Sequence, residues 1–106
     1  MDPNGSNQWT NLSTLKVTVL PNSDYSLADE DELLIAKNSS YTSDHKLYLP
    51  ANTYTGRKIY VKDFSNRTIK VYCSGHLVIA NSLNTTDQIN VNNTAEMFIF
   101  DGTNWY

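Results

Sequence analysis

Alternation of apolar and polar residues is the feature of this sequence that most constrains its fold. Successive side chains of a β-strand point to opposite faces, so a period of two is typical of strands with one buried face. Residues rich in turn formers, namely Pro, Asn, Ser and Gly, separate the alternating segments. The sequence therefore predicts about eight short strands. The main predicted strands are residues 15–19, 46–49, 58–62, 69–73, 76–80, 88–91 and 96–100.

Residues 26–37 are the one stretch that could form a helix. Ser26 is a possible N-cap, and acidic residues follow it where a helix N-terminus favours negative charge. The apolar residues Leu33, Leu34 and Ile35 are consecutive, however, and are not spaced at three and four. This spacing favours an acidic turn that leads into a buried strand.

The alternating segments also predict a core and a fold class. Several apolar residues fall ten positions apart, which is compatible with stacked rungs. The residues flanking them do not repeat, so the sequence favours a small all-β domain, an antiparallel β-sandwich or jelly-roll-like fold, with β-helical rungs as the alternative. The predicted core residues are Leu49, Ile59, Val61, Ile69, Val71, Ile79 and Ile99.

The length of 106 residues fits one domain. Residues 1–8 are polar and rich in turn formers, so we predict a disordered or expression-derived tail there and a single β domain over residues 9–106.

The residue types argue against several functional classes. A net charge of −3 gives no overall attraction for nucleic acid, and no apolar run approaches the length of a membrane span. Cys73 is the only cysteine of the sequence. The alternation places it on the same strand face as Ile69 and Val71, which indicates a buried thiol. His45 and His76 have no metal-binding spacing, and no nucleophile or phosphate-binding motif is present. We therefore predict no enzymatic activity, no metal and no cofactor.

The outward residues of the two clearest strands are the candidate binding site. Lys58 and Tyr60 alternate with the core residues of one strand, and Lys70 and Tyr72 do so in the next. If these strands pair, their cations and aromatic rings share one face, which is a surface suited to sugars or anionic polymers. Tyr54, in the loop before Gly56, completes the predicted ligand-binding set.

Three motifs carry a resemblance to a known family. They are the run from Leu49-Pro50 to Asp63 with its Gly56-Arg57 pair, the following Arg-Thr-Ile-Lys-Val, and the closing Phe-Asp-Gly-Thr-Asn-Trp-Tyr. Together they resemble a β-structured module of bacteriophage tail fibres and of virion fibre or spike proteins of large DNA viruses. The resemblance covers about residues 32–106.

The resemblance implies a non-catalytic distal module on the virion surface, commonly a homotrimer, that contacts a receptor on the host cell. A carbohydrate is the receptor class favoured by the exposed tyrosines. A purely structural trimerisation or capping module and a fragment of a cell-surface adhesin remain alternatives. Trp105 and Tyr106 are predicted to be covered by the fold or by a neighbouring subunit.

Overall fold

A computed structural model describes residues 16–79 and 82–106, and this part of the chain consists of strands and their connections without a helix. The predicted tail, residues 1–8, lies outside the described residues. The all-β class is confirmed. The eight strands are β1 (Val17–Val19), β2 (Tyr25–Ser26), β3 (Leu33–Ala36), β4 (His45–Tyr48), β5 (Lys58–Asp63), β6 (Ile69–Val78), β7 (Thr85–Val91) and β8 (Ala95–Ile99).

The strands form two four-stranded sheets, and successive strands of the chain belong almost alternately to one sheet and to the other. Sheet A has the order β1-β3-β5-β8, and sheet B has the order β2-β4-β6-β7. Through β6, each strand pairs in parallel with the strand two positions away in the chain. The chain therefore winds through three stacked coils, each with one strand in either sheet.

The last two strands end this winding. β7 turns back and pairs antiparallel with β6, and β8 crosses over to pair antiparallel with β5. The expectation of a purely antiparallel sandwich is therefore wrong, because both sheets are mixed. The first six strands have the coiled arrangement of the β-helical alternative. The physical reason is that the connections after β3, β4 and β5, residues 37–44, 49–57 and 64–68, carry the chain to the opposite sheet and form no hairpins.

One hydrophobic core lies between the sheets. Parallel strands in register place like-facing residues in ladders, so Leu34 lies beside Val61 in sheet A and Leu47 beside Val71 in sheet B. All four side chains are fully buried. Burial of side chains of this size stabilises the fold by roughly 1.5–3 kcal/mol each. The shared core holds the two sheets together.

The predicted core is largely confirmed, with two exceptions. Leu49, Ile59, Val61, Ile69 and Val71 are buried. Ile79 lies just after β6 and is 42% exposed, and Ile99 is only half-buried. Phe98 of β8 and the following Phe100 point inward, so Ile99 points to the other face. The alternation could not show this, because Met97 and Ile99 are apolar as well and the charged Glu96 is in phase with Phe98.

The chain end is fixed to both sheets. Trp105 forms bridges with Leu77 of β6 and with Phe100 after β8, and its side chain is fully buried. Its indole Nε1 donates a hydrogen bond to the Pro50 carbonyl at 2.9 Å. The prediction that the fold covers Trp105 is confirmed, whereas Tyr106 remains half exposed. Among the described residues, no helix is long and apolar enough to span a membrane.

Candidate functional site

The two predicted ligand-binding strands lie in different sheets. β5 belongs to sheet A and β6 to sheet B, so they do not pair. Lys58 and Tyr60 point outward from sheet A, and Lys70 and Tyr72 point outward from sheet B. The expectation of one combined face is wrong, and the structure separates these residues onto opposite sides of the molecule. The connection after β5 is the reason, because it carries the chain along the surface from sheet A to sheet B.

Tyr54 lies apart from both pairs, in the connection between β4 and β5, and is 65% exposed. The Arg57 guanidinium carbon lies 5.9 Å from the centre of its ring. The five predicted residues therefore occupy three separate places.

The outer face of sheet B brings together aromatic, cationic and amide side chains. The register aligns Tyr48 with Tyr72 and Gln88, and Lys46 with Lys70 and Asn90. Residues aligned across a sheet share one face and lie within reach of each other. We call this surface the tyrosine face, and it consists of Lys46, Tyr48, Lys70, Tyr72, Gln88 and Asn90.

The two tyrosines form the centre of the tyrosine face. Their ring centres are 5.7 Å apart with an angle of 77° between the planes, an edge-to-face contact. The Lys46 Nζ lies 4.8 Å from the Tyr72 ring centre and 5.9 Å from that of Tyr48. These distances fit cation–π contacts, which hold the ammonium group over the rings.

Amide groups border the rings on the β7 side. The Gln88 Nε2 donates a hydrogen bond to the Asn90 Oδ1 at 2.8 Å, which orders both side chains. Amides both donate and accept hydrogen bonds, and ammonium groups donate. The tyrosine face thus offers flat apolar area beside donors and acceptors, and its six residues include no carboxylate.

Four members of this face were not predicted, namely Lys46 and Tyr48 of β4 and Gln88 and Asn90 of β7. The alternation predicted the strand that is β4, but the predicted site assumed that β5 pairs with β6. The neighbour assigned to β6 was therefore wrong. The Lys-x-Tyr pattern of residues 46–48 and 70–72 also occurs at residues 58–60, so it could not by itself have shown which strand lies beside β6.

Asp31 is a buried carboxylate with a structural role. It accepts hydrogen bonds from the Thr18 hydroxyl at 2.6 Å, the Tyr25 hydroxyl at 2.8 Å and the Ala28 amide at 2.8 Å. Burial alone raises the pKa of Asp31, but these hydrogen bonds outweigh it and lower the pKa below its ordinary value. Conversely, the hydrogen bond to Asp31 raises the pKa of Tyr25. Asp31 therefore ties the first coil to the second.

Arg57 and Asp63 fix other connections. The buried Arg57 guanidinium donates hydrogen bonds to the carbonyls of Ala28 at 2.7 Å and Asp31 at 3.2 Å. Asp63 accepts hydrogen bonds from the Ser65 amide at 2.8 Å and the Asn93 amide at 2.9 Å. Because their hydrogen bonds go mainly to backbone groups, both side chains stabilise turns.

The two histidines also make structural contacts. The His45 Nε2 lies 2.7 Å from the Asn22 Oδ1, and the His76 Nδ1 lies 2.8 Å from the Thr103 carbonyl oxygen. Over residues 16–79 and 82–106, no three His, Cys, Asp or Glu side chains gather into a metal-binding group. The absence of enzymatic activity and cofactors stays a prediction.

Comparisons with known proteins give no relationship from which a role could be transferred. No protein-family model matches the chain, and no curated protein matches its sequence.

Proposed function

We propose that the chain is a non-catalytic module that binds a carbohydrate through the tyrosine face. The observation that carries this proposal is the cluster of Tyr48, Tyr72 and Lys46, with ring centres 5.7 Å apart and an ammonium group over them. Aromatic rings provide flat apolar area for the C–H face of a sugar ring at low entropic cost, once the Lys46 ammonium group moves aside to bind a sugar oxygen. Neighbouring amide and ammonium groups supply hydrogen bonds to sugar hydroxyls.

Lys46 and Lys70 favour an acidic sugar. Both belong to the tyrosine face, whose six residues carry two ammonium groups and no carboxylate. A carboxylate on the ligand gains from charge-assisted hydrogen bonds to such groups. Single sites of this open kind bind weakly, in the range of about millimolar to micromolar, and several copies on one particle raise the avidity.

The biological setting in this proposal rests on the resemblance in residues 32–106. A distal module of a viral fibre or spike that attaches to host-cell glycans needs a solvent-accessible surface with aromatic and polar groups, and the composition of the tyrosine face supports this role. The purely structural module remains the second candidate function, and the exposed apolar side chains of sheet A, namely Val17, Val19, Tyr60 and Met97, favour it.

A glycan array tests the proposal when the chain is displayed on beads, because the beads supply the avidity. We expect Tyr72→Ala to reduce the signal about five- to 150-fold, because stacking of a planar base on an aromatic ring contributes on the order of 1–3 kcal/mol and a sugar ring stacks on the same kind of surface. Tyr60→Ala is the matched control, since this tyrosine also lies mid-strand but on the opposite side of the molecule.

A solution titration locates the site. For the most strongly captured glycan, amide chemical shifts are expected to change in β4, β6 and β7. Shift changes confined to β5 and Tyr54 would assign binding to the originally predicted residues and overturn the tyrosine face. Silence of the intact chain on the whole array would favour the structural candidate.

A further inference from the structure

A groove lies between the edge strands β7 and β8. β7 is the last strand of sheet B and β8 is the last strand of sheet A, so they do not pair and the space between the sheets is open on this side. The groove has a volume of about 1000 Å³, at the upper end of the range found for small-molecule sites. It is therefore large enough for a small organic ligand.

The floor of this groove is the open side of the hydrophobic core. Phe98 of β8 is aligned with the buried Ile59, and Ile89 of β7 is aligned with the buried Val71. Residues aligned across a sheet share one face, so both side chains point between the sheets. Phe98 is itself buried, and the half-buried Ile89 packs against the core. A ligand in the groove would therefore contact the core directly.

Exposed apolar side chains border the groove on both sides. They are Ile79, Leu83, Met97 and Tyr106, and Leu83 is 89% exposed. Single exposed apolar residues are common on protein surfaces, but several of them around one concave site are typical of a binding site. The border and the floor together offer a ligand mainly apolar contacts.

Glu96 is the one charged residue of the groove lining. It is aligned with the buried Val61 and is in phase with Phe98, so its side chain lies on the groove side of β8. Within residues 16–79 and 82–106, no Lys, Arg or His side chain forms an ion pair with its carboxylate. The other polar residues of the lining are neutral, namely Ser82, Thr86 and Gln88. The described lining thus has a carboxylate and no cation.

This combination favours a ligand with an apolar chain and a cationic head group. An alkyl chain removes apolar groove surface from water, and the gain grows with each CH₂ group. An ammonium group donates charge-assisted hydrogen bonds to a carboxylate such as that of Glu96. An anionic head group would instead be repelled by Glu96. The charge of the lining therefore selects the sign of the head group.

We propose that the groove between β7 and β8 binds a cationic amphiphile, a molecule with one unbranched apolar chain and an ammonium head group. The apolar chain lies on Phe98 and Ile89 between the sheets, and the head group lies at Glu96. The site is separate from the proposed sugar site, because the tyrosine face is the outer side of sheet B. Gln88 borders both.

Decylammonium and decanoate are matched probes, because their chains are similar in length and their charges are opposite at about pH 7. In a titration of the full chain followed by amide chemical shifts, we expect decylammonium to shift signals of β7 and β8 with a dissociation constant of about 1 mM. Decanoate should bind about tenfold more weakly, because attraction and repulsion at an exposed carboxylate each change the affinity a few-fold. Octylammonium should bind roughly four- to fifteenfold more weakly than decylammonium, because it lacks two CH₂ groups.

Glu96→Gln removes the charge of the groove and keeps the size of the side chain. It should reduce the preference for decylammonium over decanoate to at most about twofold and leave the dependence on chain length unchanged. Glu30→Gln is the matched control and should keep the preference, because the contact of Glu30 with Lys16 places it beside β1, at the other edge of sheet A. Should Glu96→Gln lose its β-type circular dichroism spectrum, about 0.5 M salt should reduce the same preference in the original chain.

Three results would overturn the groove site. One is the absence of shift changes in β7 and β8 up to about 10 mM decylammonium, ten times the expected dissociation constant, which would leave the groove to a protein segment. Another is binding of decanoate that equals or exceeds that of decylammonium. The third is the same charge preference in the Glu96→Gln and Glu30→Gln variants. Failure of glycan binding leaves these results unchanged, so the two proposals fail separately.

Discussion

Replacing Trp105 with alanine removes the side chain that joins the chain end to both sheets. The indole is fully buried, and its ring centre lies 5.2 Å from that of Phe100. Removal of a buried Trp costs about 3–5 kcal/mol, and the Pro50 carbonyl also loses its hydrogen bond. A domain of this size has a total stability of about 5–15 kcal/mol. We therefore expect a variant that is folded only marginally.

Urea unfolding followed by circular dichroism measures this loss. With a slope of roughly 1.5 kcal/mol per molar urea, the midpoint should fall by about 2–3 M. Trp105→Phe keeps a ring in the core and removes the N–H donor, so its loss should be intermediate. Tyr106→Ala is the control, since that side chain is half exposed and should cost under about 1 kcal/mol. Equal midpoints for Trp105→Ala and Tyr106→Ala would refute the anchoring role.

Three further predictions concern single residues. Because the folded-state pKa of Asp31 is lowered, the contribution of its carboxylate to the free energy of unfolding is complete above about pH 4 and is lost as the pH falls through the folded-state pKa. In an acid titration, an Asp31→Asn variant should therefore lose less stability than the original chain. Burial raises the pKa of the Cys73 thiol, so a disulfide reagent at pH 8 should react slowly with the folded chain and at once with the chain unfolded in urea. Rapid reaction of the thiol in the folded chain would contradict its burial. Gly102 has a φ of 104°, and an added Cβ would lie 2.9 Å from the Thr55 hydroxyl; Gly102→Ala should therefore lower the melting temperature more than Gly56→Ala, where the φ is 90° and the space is open.

Local patterns predicted the strands well because they report the periodicity of the backbone. The alternation in residues 58–62 and 69–73 identified β5 and β6 and their buried residues. The interpretation of residues 26–37 as an acidic turn and a buried strand is confirmed by β3 at Leu33–Ala36. Where both alternating sets are apolar, as in β3, the sequence could not tell the inner face from the outer one, and in β8 the only charged residue, Glu96, is in phase with the buried Phe98.

Strand pairing could not be obtained from the same patterns. Alternation shows that a strand has a buried face but does not show which strand lies beside it. The short connection between β5 and β6 was compatible with pairing of these strands, yet Asp63 and Ser65 stabilise a turn that leads to the opposite sheet. The candidate site was therefore divided between two faces, and Lys46 and Tyr48 were found only once β4 was seen beside β6.

The coiled winding has a consequence for how this chain folds. β6 and β7 are the only described neighbours in sequence that also pair, whereas every other pairing joins strands separated by at least one intervening strand. Local pairings form fastest because little loop entropy is lost. We expect the β6–β7 hairpin to form first and to serve as the template onto which β4 and then β2 add. Changes in the hairpin should slow folding, and changes in β1 or β2 should mainly speed unfolding. During synthesis, the first sixty residues then leave the ribosome before their template exists.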